Sequence, residues 1–484
     1  MTEEKSELAN KLTAIRGAFF DFIDDPWKHV GHEEKSARFY PDGLLVLEDG
    51  KIKAYGAYDK VSGQYPNVEI THIKNRLILP GFIDGHIHMP QTRILGAFGQ
   101  QLLGWLNQWV FPEEKKYADA TYAKDGAKHF FDNLLAAGTT TAQTFTTPNP
   151  ICTEAFFEEA SSRNMLMIGG VTGMDRFGPD YSMDSADNFY KHSKRLIDKY
   201  HRKGRNLYAV TPRFALGSTA EMLSACQKLK KEYPDVWVNT HISETPSETR
   251  LVKEFHKVDD YLTVYEKYKL VGPKFTGAHG CWLSDDEFRR IAKAGASVAF
   301  CPVSNLFLGS GLFRLGRATD PEHRVKLSLG CDIGGGNRFS LISVLDEAYK
   351  VGMCNNTMLD GSVDPRDHDL AEAERNKLSP YRGFYSVTLG GAEALYIHDR
   401  VGNFEPGKEA DFVALDWNAG QRATVWHQSL VVGESGPKTM EEAANLLFSV
   451  MMVGDDRNVD ETWIMGKRLY KKSEAEQPTL ALTH

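Results

Sequence analysis

Several features are scarce or missing in this sequence, and each absence argues against a class of protein. Only six cysteines occur among 484 residues, and no two are spaced as a C-x-x-C pair. This scarcity predicts free thiols in a reducing, cytoplasmic setting. No apolar run is long enough to cross a membrane. The charged residues 1–5 are not followed by an apolar core, so we predict no signal peptide.

Clusters of basic residues are also missing. The formal net charge is −8 and no block of lysines and arginines occurs, so nucleic-acid binding has no electrostatic support. No G-x-G-x-x-G follows the first long apolar run, which argues against a dinucleotide-binding open sheet. The composition is otherwise that of a globular protein, long enough for one large domain and a smaller one.

The central part of the chain predicts an α/β barrel. Eight short apolar runs alternate with amphipathic stretches of helix length, such as 122–137, 220–231 and 284–294. Eight parallel strands spread over about 250 residues are typical of a closed (β/α)8 TIM-like barrel, and a doubly wound open sheet is the alternative. The predicted strands are 81–88, 139–145, 165–171, 207–213, 236–241, 275–279, 297–301 and 325–332.

Both chain ends have the character of a small antiparallel sheet. Short alternating runs at 44–47, 52–55 and 68–73 are separated by turn signals such as Asp49-Gly50 and Ser62-Gly63. Similar runs return at 410–416 and 462–470. We therefore predict one small β-sandwich domain built from residues 1–78 and 401–484. The barrel, residues 79–400, is inserted between its two parts, and a helical stretch lies at 439–453.

The first predicted barrel strand ends in Asp84-Gly85-His86-Ile87-His88. Side chains at i and i+2 of a strand point to the same face, so these two imidazoles can converge on one metal. A helix would place them about 200° apart. Alone, His-x-His is a weak signal, because two unrelated histidines have this spacing by chance.

Reactive side chains recur at the other predicted strand ends, where (β/α)8 barrels place their chemistry. A single histidine at a strand end is more often a hydrogen-bonded core residue than a metal ligand. Core packing does not readily explain why reactive side chains occur at so many strand ends. Imidazole nitrogen and carboxylate oxygen suit zinc and also iron, and a remaining open position would hold water. The metal would lower the pKa of that water and supply hydroxide near neutral pH. The predicted ligands are His86, His88, His241 and Asp332.

Glu244 and His279 remain as proton-handling groups, and Asp332 could combine metal ligation with proton acceptance. With a period of two, Glu244 would point away from the face of His241. It reaches the site only if the strand ends near Ile242 and the chain turns over the barrel mouth. The alternative for Glu244 is a solvated loop carboxylate.

The chain resembles the metal-dependent amidohydrolase superfamily. The resemblance rests on the sheet from both chain ends, on the segment 402–411, and on His86, His88, His241, His279 and Asp332. Within this superfamily, roughly residues 40–470 resemble the guanine deaminase branch. The motifs that carry this closer resemblance are Met89-Pro90-Gln91, Leu103-Gly104-Trp105-Leu106 with Phe111-Pro112, Thr211-Pro212-Arg213-Phe214, His241-Ile242-Ser243-Glu244 and Gly454-Asp455-Asp456-Arg457-Asn458.

The resemblance implies hydrolysis of guanine to xanthine and ammonia in purine salvage and catabolism, by a homodimer with one Zn²⁺ per chain. It also implies proton transfer by Glu244 and metal ligation by the four residues already named. One departure is Cys331, where threonine is expected before Asp332, and the segment after Phe313 matches less well. The residues that the resemblance places against the purine are Gln91, Arg213, Phe214 and His279.

The chemistry of these side chains suits a planar purine. The Arg213 fork donates to a carbonyl oxygen such as guanine O6, and Gln91 offers a donor and an acceptor. Trp105 and Trp109 supply either stacking surface or core packing. Two alternatives stay open: a relative that deaminates another ring (an oxidised guanine, a pterin or an s-triazine), and a catalytically inactive amidohydrolase fold that serves as a scaffold.

Overall fold

The strands fall into two sheets. The chain's computed structural model describes residues 12–99, 101–358, 370–420 and 435–475, together with 422, 428, 432 and 433. In chain order its strands are β1 (Leu12–Phe22), β2 (Ala37–Glu48), β3 (Lys51–Ala57), β4 (Glu69–Pro80), β5 (Phe82–His88), β6 (Thr139–Phe145), β7 (Leu166–Gly170), β8 (Thr172–Gly173), β9 (Asn206–Pro212), β10 (Trp237–Ile242), β11 (Phe275–His279), β12 (Ser297–Phe300), β13 (Lys326–Leu329), β14 (Phe412–Leu415), β15 (Val459–Ile464) and β16 (Lys467–Lys471).

Helices fill most of the connections between barrel strands. The described helices are α1 (Tyr58–Val61), α2 (Leu102–Trp105), α3 (Phe111–Lys116), α4 (Ala120–Ala136), α5 (Pro150–Ser162), α6 (Ala186–Tyr200), α7 (Ala220–Glu232), α8 (Pro246–His256), α9 (Leu262–Lys267), α10 (Asp285–Ala294), α11 (Pro302–Phe307), α12 (Leu315–Ala318), α13 (Leu341–Met358), α14 (Leu370–Asn376), α15 (Pro380–Ser386), α16 (Leu389–Ala394) and α17 (Met440–Val453). Within the described parts of the chain, none of them is long and apolar enough to cross a membrane.

The central sheet is the predicted parallel barrel. Its strands follow the order β5-β6-β7-β9-β10-β11-β12-β13, and short β8 extends the pairing with β9. Every residue of β5, β6 and β9 is buried, as expected for strands with both faces covered. At the seam between β13 and β5, the Asp332 N–H donates to the His86 carbonyl at 2.9 Å. The Cys331 N–H donates to the Asp84 carboxylate at 3.3 Å. The prediction of a (β/α)8 barrel is confirmed.

The second sheet joins both chain ends, as the sequence predicts. Its seven strands follow the order β16-β15-β14-β4-β1-β2-β3, so β14 from the late part of the chain pairs with β4 from the early part. Strand β4 continues through Gly81 into barrel strand β5, and the Gly81 N–H donates to the Asp411 carbonyl at 3.0 Å. The sheet is therefore connected directly to the strand that carries His86 and His88. The division at residues 78 and 400 stays a prediction.

A buried ion pair also connects the two sheets. Arg205, beside the start of β9, donates through Nη2 to Asp411 Oδ2 at 2.6 Å and through Nε to Glu409 Oε2 at 2.9 Å. The Arg205 and Asp411 side chains are 6% and 1% exposed. Burial raises the pKa of the Asp411 carboxyl, although Arg205 acts in the opposite direction.

Two elements differ from the sequence-based expectation. Strand β1 was not predicted, because its last four residues, Asp21 among them, are all buried and its sequence lacks a regular alternation of polar and apolar residues. The run 462–470 lies across two strands, β15 and β16, joined at Met465 and Gly466, both with positive φ. This tight turn follows from left-handed backbone at two successive positions.

Candidate active site

Four side chains converge at the C-terminal mouth of the barrel. His86 and His88 lie in β5, His241 lies in β10, and Asp332 follows β13. Their potential ligand atoms all lie within 4.8 Å of one another. Asp332 Oδ1 is 3.1 Å from His86 Nε2 and 3.2 Å from His88 Nε2, and the Nε2 atoms of His88 and His241 are 3.2 Å apart. One cation can contact all four side chains.

Burial keeps the three imidazoles neutral, the state in which histidine ligates metals. It lowers the pKa of His86 and His241, and lowers that of His88 to about 3. His241 Nδ1 lies 2.6 Å from the Arg213 carbonyl oxygen, so it donates its proton there and leaves Nε2 for the centre. Burial acts to raise the pKa of Asp332, but the close approach of the His86 and His88 imidazoles holds it well below its usual range.

The donor set fits a divalent cation. Both ring nitrogens of His86 are buried without a hydrogen bond of good geometry among the described residues, and a buried polar group in this state is costly. A cation at the shared centre would satisfy Nε2. His86 and His279 also lie near Cys301, but burial raises the pKa of the Cys301 thiol well above its usual range and disfavours the thiolate that metals require.

Glu244 enters the cavity because β10 ends early. The strand stops at Ile242, and Ser243 is left-handed with a φ of 47°, which turns the chain over the barrel mouth. Glu244 Oε1 accepts a hydrogen bond from Ser310 Oγ at 2.8 Å, and Oε2 lies 3.6 Å from His279 Nε2. Burial, together with the charge of Asp332, raises the pKa of Glu244 to about 8. This carboxyl group can therefore hold a proton at neutral pH.

His279 is oriented from behind by Asn305. Its Nδ1 lies 2.8 Å from Asn305 Oδ1, which accepts the proton and directs Nε2 into the cavity. That Nε2 is also 3.8 Å from Asp332 Oδ2. An acceptor nitrogen thus stands between the two carboxyl groups that face the reaction space.

The predicted purine contacts line the same cavity as the metal ligands. Arg213 and Phe214 follow β9, and Gln91 lies in a 3₁₀ helix, Met89–Ile94, directly after β5. Of the two tryptophans, Trp105 lines the cavity, whereas Trp109 lies outside its lining and donates through Nε1 to the Phe98 carbonyl at 2.7 Å. The cavity is lined by His88, Gln91, Leu102, Trp105, Leu106, Arg213, Phe214, His241, Glu244, His279, Leu308, Asp332 and Gly335.

Sequence reasoning missed three residues of this site: Glu114, Asn305 and Ser310. Glu114 comes from α3 and binds Arg213 through three contacts of 2.8 to 3.1 Å. In the sequence it is one of two adjacent glutamates in the first turn of a helix, which is the usual place for a solvated acid. Asp84, two residues before His86 on the same strand, is not a metal-ligand candidate: its carboxylate accepts the His86 N–H at 3.0 Å and the Cys331 N–H at the barrel seam.

A parallel barrel with three histidines and an aspartate at its C-terminal mouth defines a class of metal-dependent hydrolases. A model of the amidohydrolase family matches residues 77–469. The chain belongs to the amidohydrolase family.

Among its relatives, the similarity to guanine deaminases extends over nearly the whole chain. The guanine deaminase of Escherichia coli (strain K12) is 41% identical over 468 residues, covering 96% of this chain and 98% of that protein. The crystal structure of guanine deaminase from Bradyrhizobium japonicum has a TM-score of 0.94 and 68% identity, covering 96% and 100%. The structure of guanine deaminase from C. acetobutylicum, with bound guanine in the active site, has a TM-score of 0.81 and 25% identity, covering 95% and 100%.

Proposed function

We propose that this protein hydrolyses guanine to xanthine and ammonia. The observation that carries the proposal is one cavity lined by three of the four metal-ligand candidates, with His86 directly beside them, by Glu244 and His279, and by Arg213 and Gln91. The named relatives at 41% and 68% identity are guanine deaminases. This combination favours guanine over the other rings considered from the sequence, and a complete set of ligands argues against an inactive scaffold.

The metal ligands in this proposal are His86, His88, His241 and Asp332, which hold one Zn²⁺ per chain. When bound, the ion lowers the pKa of water and supplies the nucleophile at neutral pH. The protein's own contribution is a dry, preorganised set of groups around the ring. Because the cavity walls include Leu102, Trp105, Leu106 and Leu308, bulk water is displaced when the purine enters.

Arg213 and Gln91 recognise the polar edge of the ring, and Phe214 supplies an apolar surface beside it. Arg213 donates but cannot accept, so it favours a carbonyl, as in guanine, over the amine of adenine. A site built to hydrogen-bond one group rejects an analogue that lacks it by roughly 10⁴-fold or more. Adenine should therefore be a very poor substrate.

Glu244 and Asp332 move protons during the reaction, and His279 binds the ring. A water molecule adds to the ring carbon that bears the amine, the bond from this carbon to the amine nitrogen breaks, and ammonia leaves. Glu244 protonates a ring nitrogen as the water adds, while Asp332 accepts one proton from the water. The hydroxyl proton of the adduct then passes through Glu244 to the amine, which leaves as ammonia, and the proton held by Asp332 returns to Glu244. His279 Nε2 accepts a hydrogen bond from the ring.

We also propose that the working enzyme is a cytoplasmic homodimer in purine catabolism and salvage. The support is the family resemblance and six cysteines that are all unpaired, five of them buried. We expect neither a nucleic-acid nor a membrane partner. Sedimentation and metal analysis of the purified protein measure the subunit number and the zinc content.

The experiment that tests the function is a substrate panel scored by ammonia release from the zinc-loaded protein. Guanine should be turned over, and adenine should not. Ammonia from 8-oxoguanine, a pterin or an s-triazine at rates well above that from guanine would overturn the assignment. Full activity in rigorously metal-free protein would overturn the metal-dependent mechanism.

A further inference from the structure

Behind the cavity wall, the lining residue Arg213 forms a buried ion pair with Glu114, a carboxylate to which the proposed reaction gives no role. Glu114 and Arg213 have side chains that are 2% and 4% exposed. Arg213 Nη1 donates to both carboxylate oxygens of Glu114, at 3.0 and 2.8 Å, and Nη2 donates to one of them at 3.1 Å. This is a fork-to-carboxylate contact of the kind that fixes a guanidinium in one plane.

The same carboxylate also orients the second polar group that faces the purine. Glu114 Oε1 accepts a hydrogen bond from Gln91 Nε2 at 3.2 Å. Gln91 Oε1 in turn accepts the Gly334 N–H at 3.1 Å, so the direction of the Gln91 amide is determined at both ends. One side chain on α3 thus positions two side chains that come from different strand ends.

The ion pair has an electrostatic consequence for ligand choice. Arg213 is permanently charged, and an unpaired positive charge in a buried cavity attracts anions strongly. Guanine is uncharged at neutral pH, whereas oxidised purines ionise more readily because they carry more acidic ring N–H groups. Without Glu114, the cavity would favour such anions, including the ionised form of the product.

We propose that Glu114 is a positioning residue that determines charge specificity. It cancels the charge of Arg213 and orients Arg213 and Gln91, so that the cavity selects an uncharged purine and releases an acidic product. This inference rests on the proposed function, since it requires that Arg213 and Gln91 face a purine.

The test measures binding of an uncharged and an anionic purine to the zinc-loaded protein at neutral pH. Hypoxanthine is the uncharged probe and urate the anionic one, with dissociation constants taken from calorimetry. Glu114→Gln keeps the size of the side chain and one acceptor oxygen but removes the charge. The ratio of the urate to the hypoxanthine dissociation constant should fall by at least about tenfold. The bound cation attracts urate in both proteins, so its effect cancels in the comparison.

The matched control is Glu113→Gln, the neighbouring residue on the same helix with the same charge change. Glu113 accepts from Tyr122 Oη at 2.6 Å and from Lys116 Nζ at 2.7 Å, two residues that do not line the cavity. This variant should leave the binding ratio unchanged. The double variant Glu114→Gln with Arg213→Gln removes both charges and should restore the wild-type ratio, an outcome that a merely structural role for Glu114 does not predict.

If Glu114→Gln fails to fold, Arg213→Gln alone tests the same charge pair. It leaves Glu114 unpaired, so urate should bind more weakly relative to hypoxanthine. An unchanged ratio in folded Glu114→Gln would overturn the proposal and assign Glu114 to stability alone. Calorimetry needs no turnover, so a wild-type protein that binds hypoxanthine but releases no ammonia from guanine refutes the proposed function and not this inference. Failure to bind either purine would overturn both.

Discussion

Replacing Glu244 by glutamine removes a proton donor while almost preserving the shape of the cavity. In the wild type, Ser310 Oγ donates to Glu244 Oε1 at 2.8 Å. Glutamine retains an acceptor oxygen for this hydrogen bond. It cannot pass a proton to the ring or to the leaving amine. A positioned acid or base typically contributes 10²- to 10⁴-fold, or about 3 to 5 kcal/mol of activation free energy. We expect Glu244→Gln to lose that factor in kcat while retaining its zinc.

The pH dependence gives a second measurement with a definite sign. Glu244 holds its proton below its pKa of about 8 and loses it above, so wild-type kcat should fall as the pH rises through that value. A cation beside Asp332 offsets part of the negative charge that raises the pKa of Glu244. With the metal bound, the fall in kcat should therefore occur at the same or a lower pH. Glutamine does not titrate, and the variant should lack this limb.

Stability distinguishes the loss of chemistry from the loss of structure. The folded-state pKa of Glu244 lies above its ordinary value of 4.5, so the folded protein binds its proton more tightly than the unfolded chain. The contribution of Glu244 to wild-type stability therefore declines as the pH rises from about 4.5 to about 8. Glu244→Gln should unfold at an equal or higher temperature than the wild type at pH 8. Near-normal turnover, or loss of zinc, would refute the proton-shuttle role.

Three further changes test the metal site, the support of the Glu244 loop and the contact between the sheets. His241→Ala should lose zinc and guanine turnover together, as measured by metal analysis and ammonia release; retained zinc with normal turnover would contradict the ligand assignment. Glu248, which accepts from Tyr261 Oη at 2.5 Å, has its pKa raised to about 7 by burial and by Glu244. Because the wild type must ionise this buried carboxyl group as the pH rises and Glu248→Gln need not, the variant should become more stable relative to the wild type, by up to about 3 kcal/mol between pH 4.5 and pH 8. The measurement is the thermal midpoint of the variant minus that of the wild type, which should rise with pH. Arg205→Met leaves Asp411 buried without its partner and should cost about 3 to 5 kcal/mol in thermal unfolding; a loss below about 1 kcal/mol would contradict a structural role for this pair.

The barrel could be predicted from the sequence because its strands have a simple signature. Strands buried on both faces read as short apolar runs, and two of the eight, Thr139–Phe145 and Phe275–His279, have the predicted bounds. Helix α10 was also predicted closely, because Ser284 and Glu287 form a capping box at its start and Gly295 ends it with a φ of 71°. In these elements local sequence and tertiary burial favour the same conformation.

The Glu114 contact could not be predicted in the same way. Its partners, Gln91 and Arg213, lie 23 and 99 residues away along the chain, and no local pattern distinguishes Glu114 from Glu113 beside it. Only the packing of α3 against the barrel mouth determines which of the two carboxylates reaches Arg213 and Gln91. The same reasoning holds for Asn305 and Ser310, whose roles depend on the positions of His279 and Glu244.

The convergence of the reactive groups depends on backbone that leaves the strand conformation. Ser243, His279 and Asp332 have φ values of 47°, 75° and 47°, in a region that costs a residue other than glycine about 1 to 3 kcal/mol. Hydrogen bonds from the following residues offset this cost: the Gly280 N–H donates to Ile242 O at 2.9 Å, and the Trp282 N–H donates to Ser243 O at 3.0 Å. A strict period of two would have directed Glu244 away from His241. The early end of β10 is therefore what allows one strand to supply a metal-ligand candidate and the proposed proton donor three residues apart.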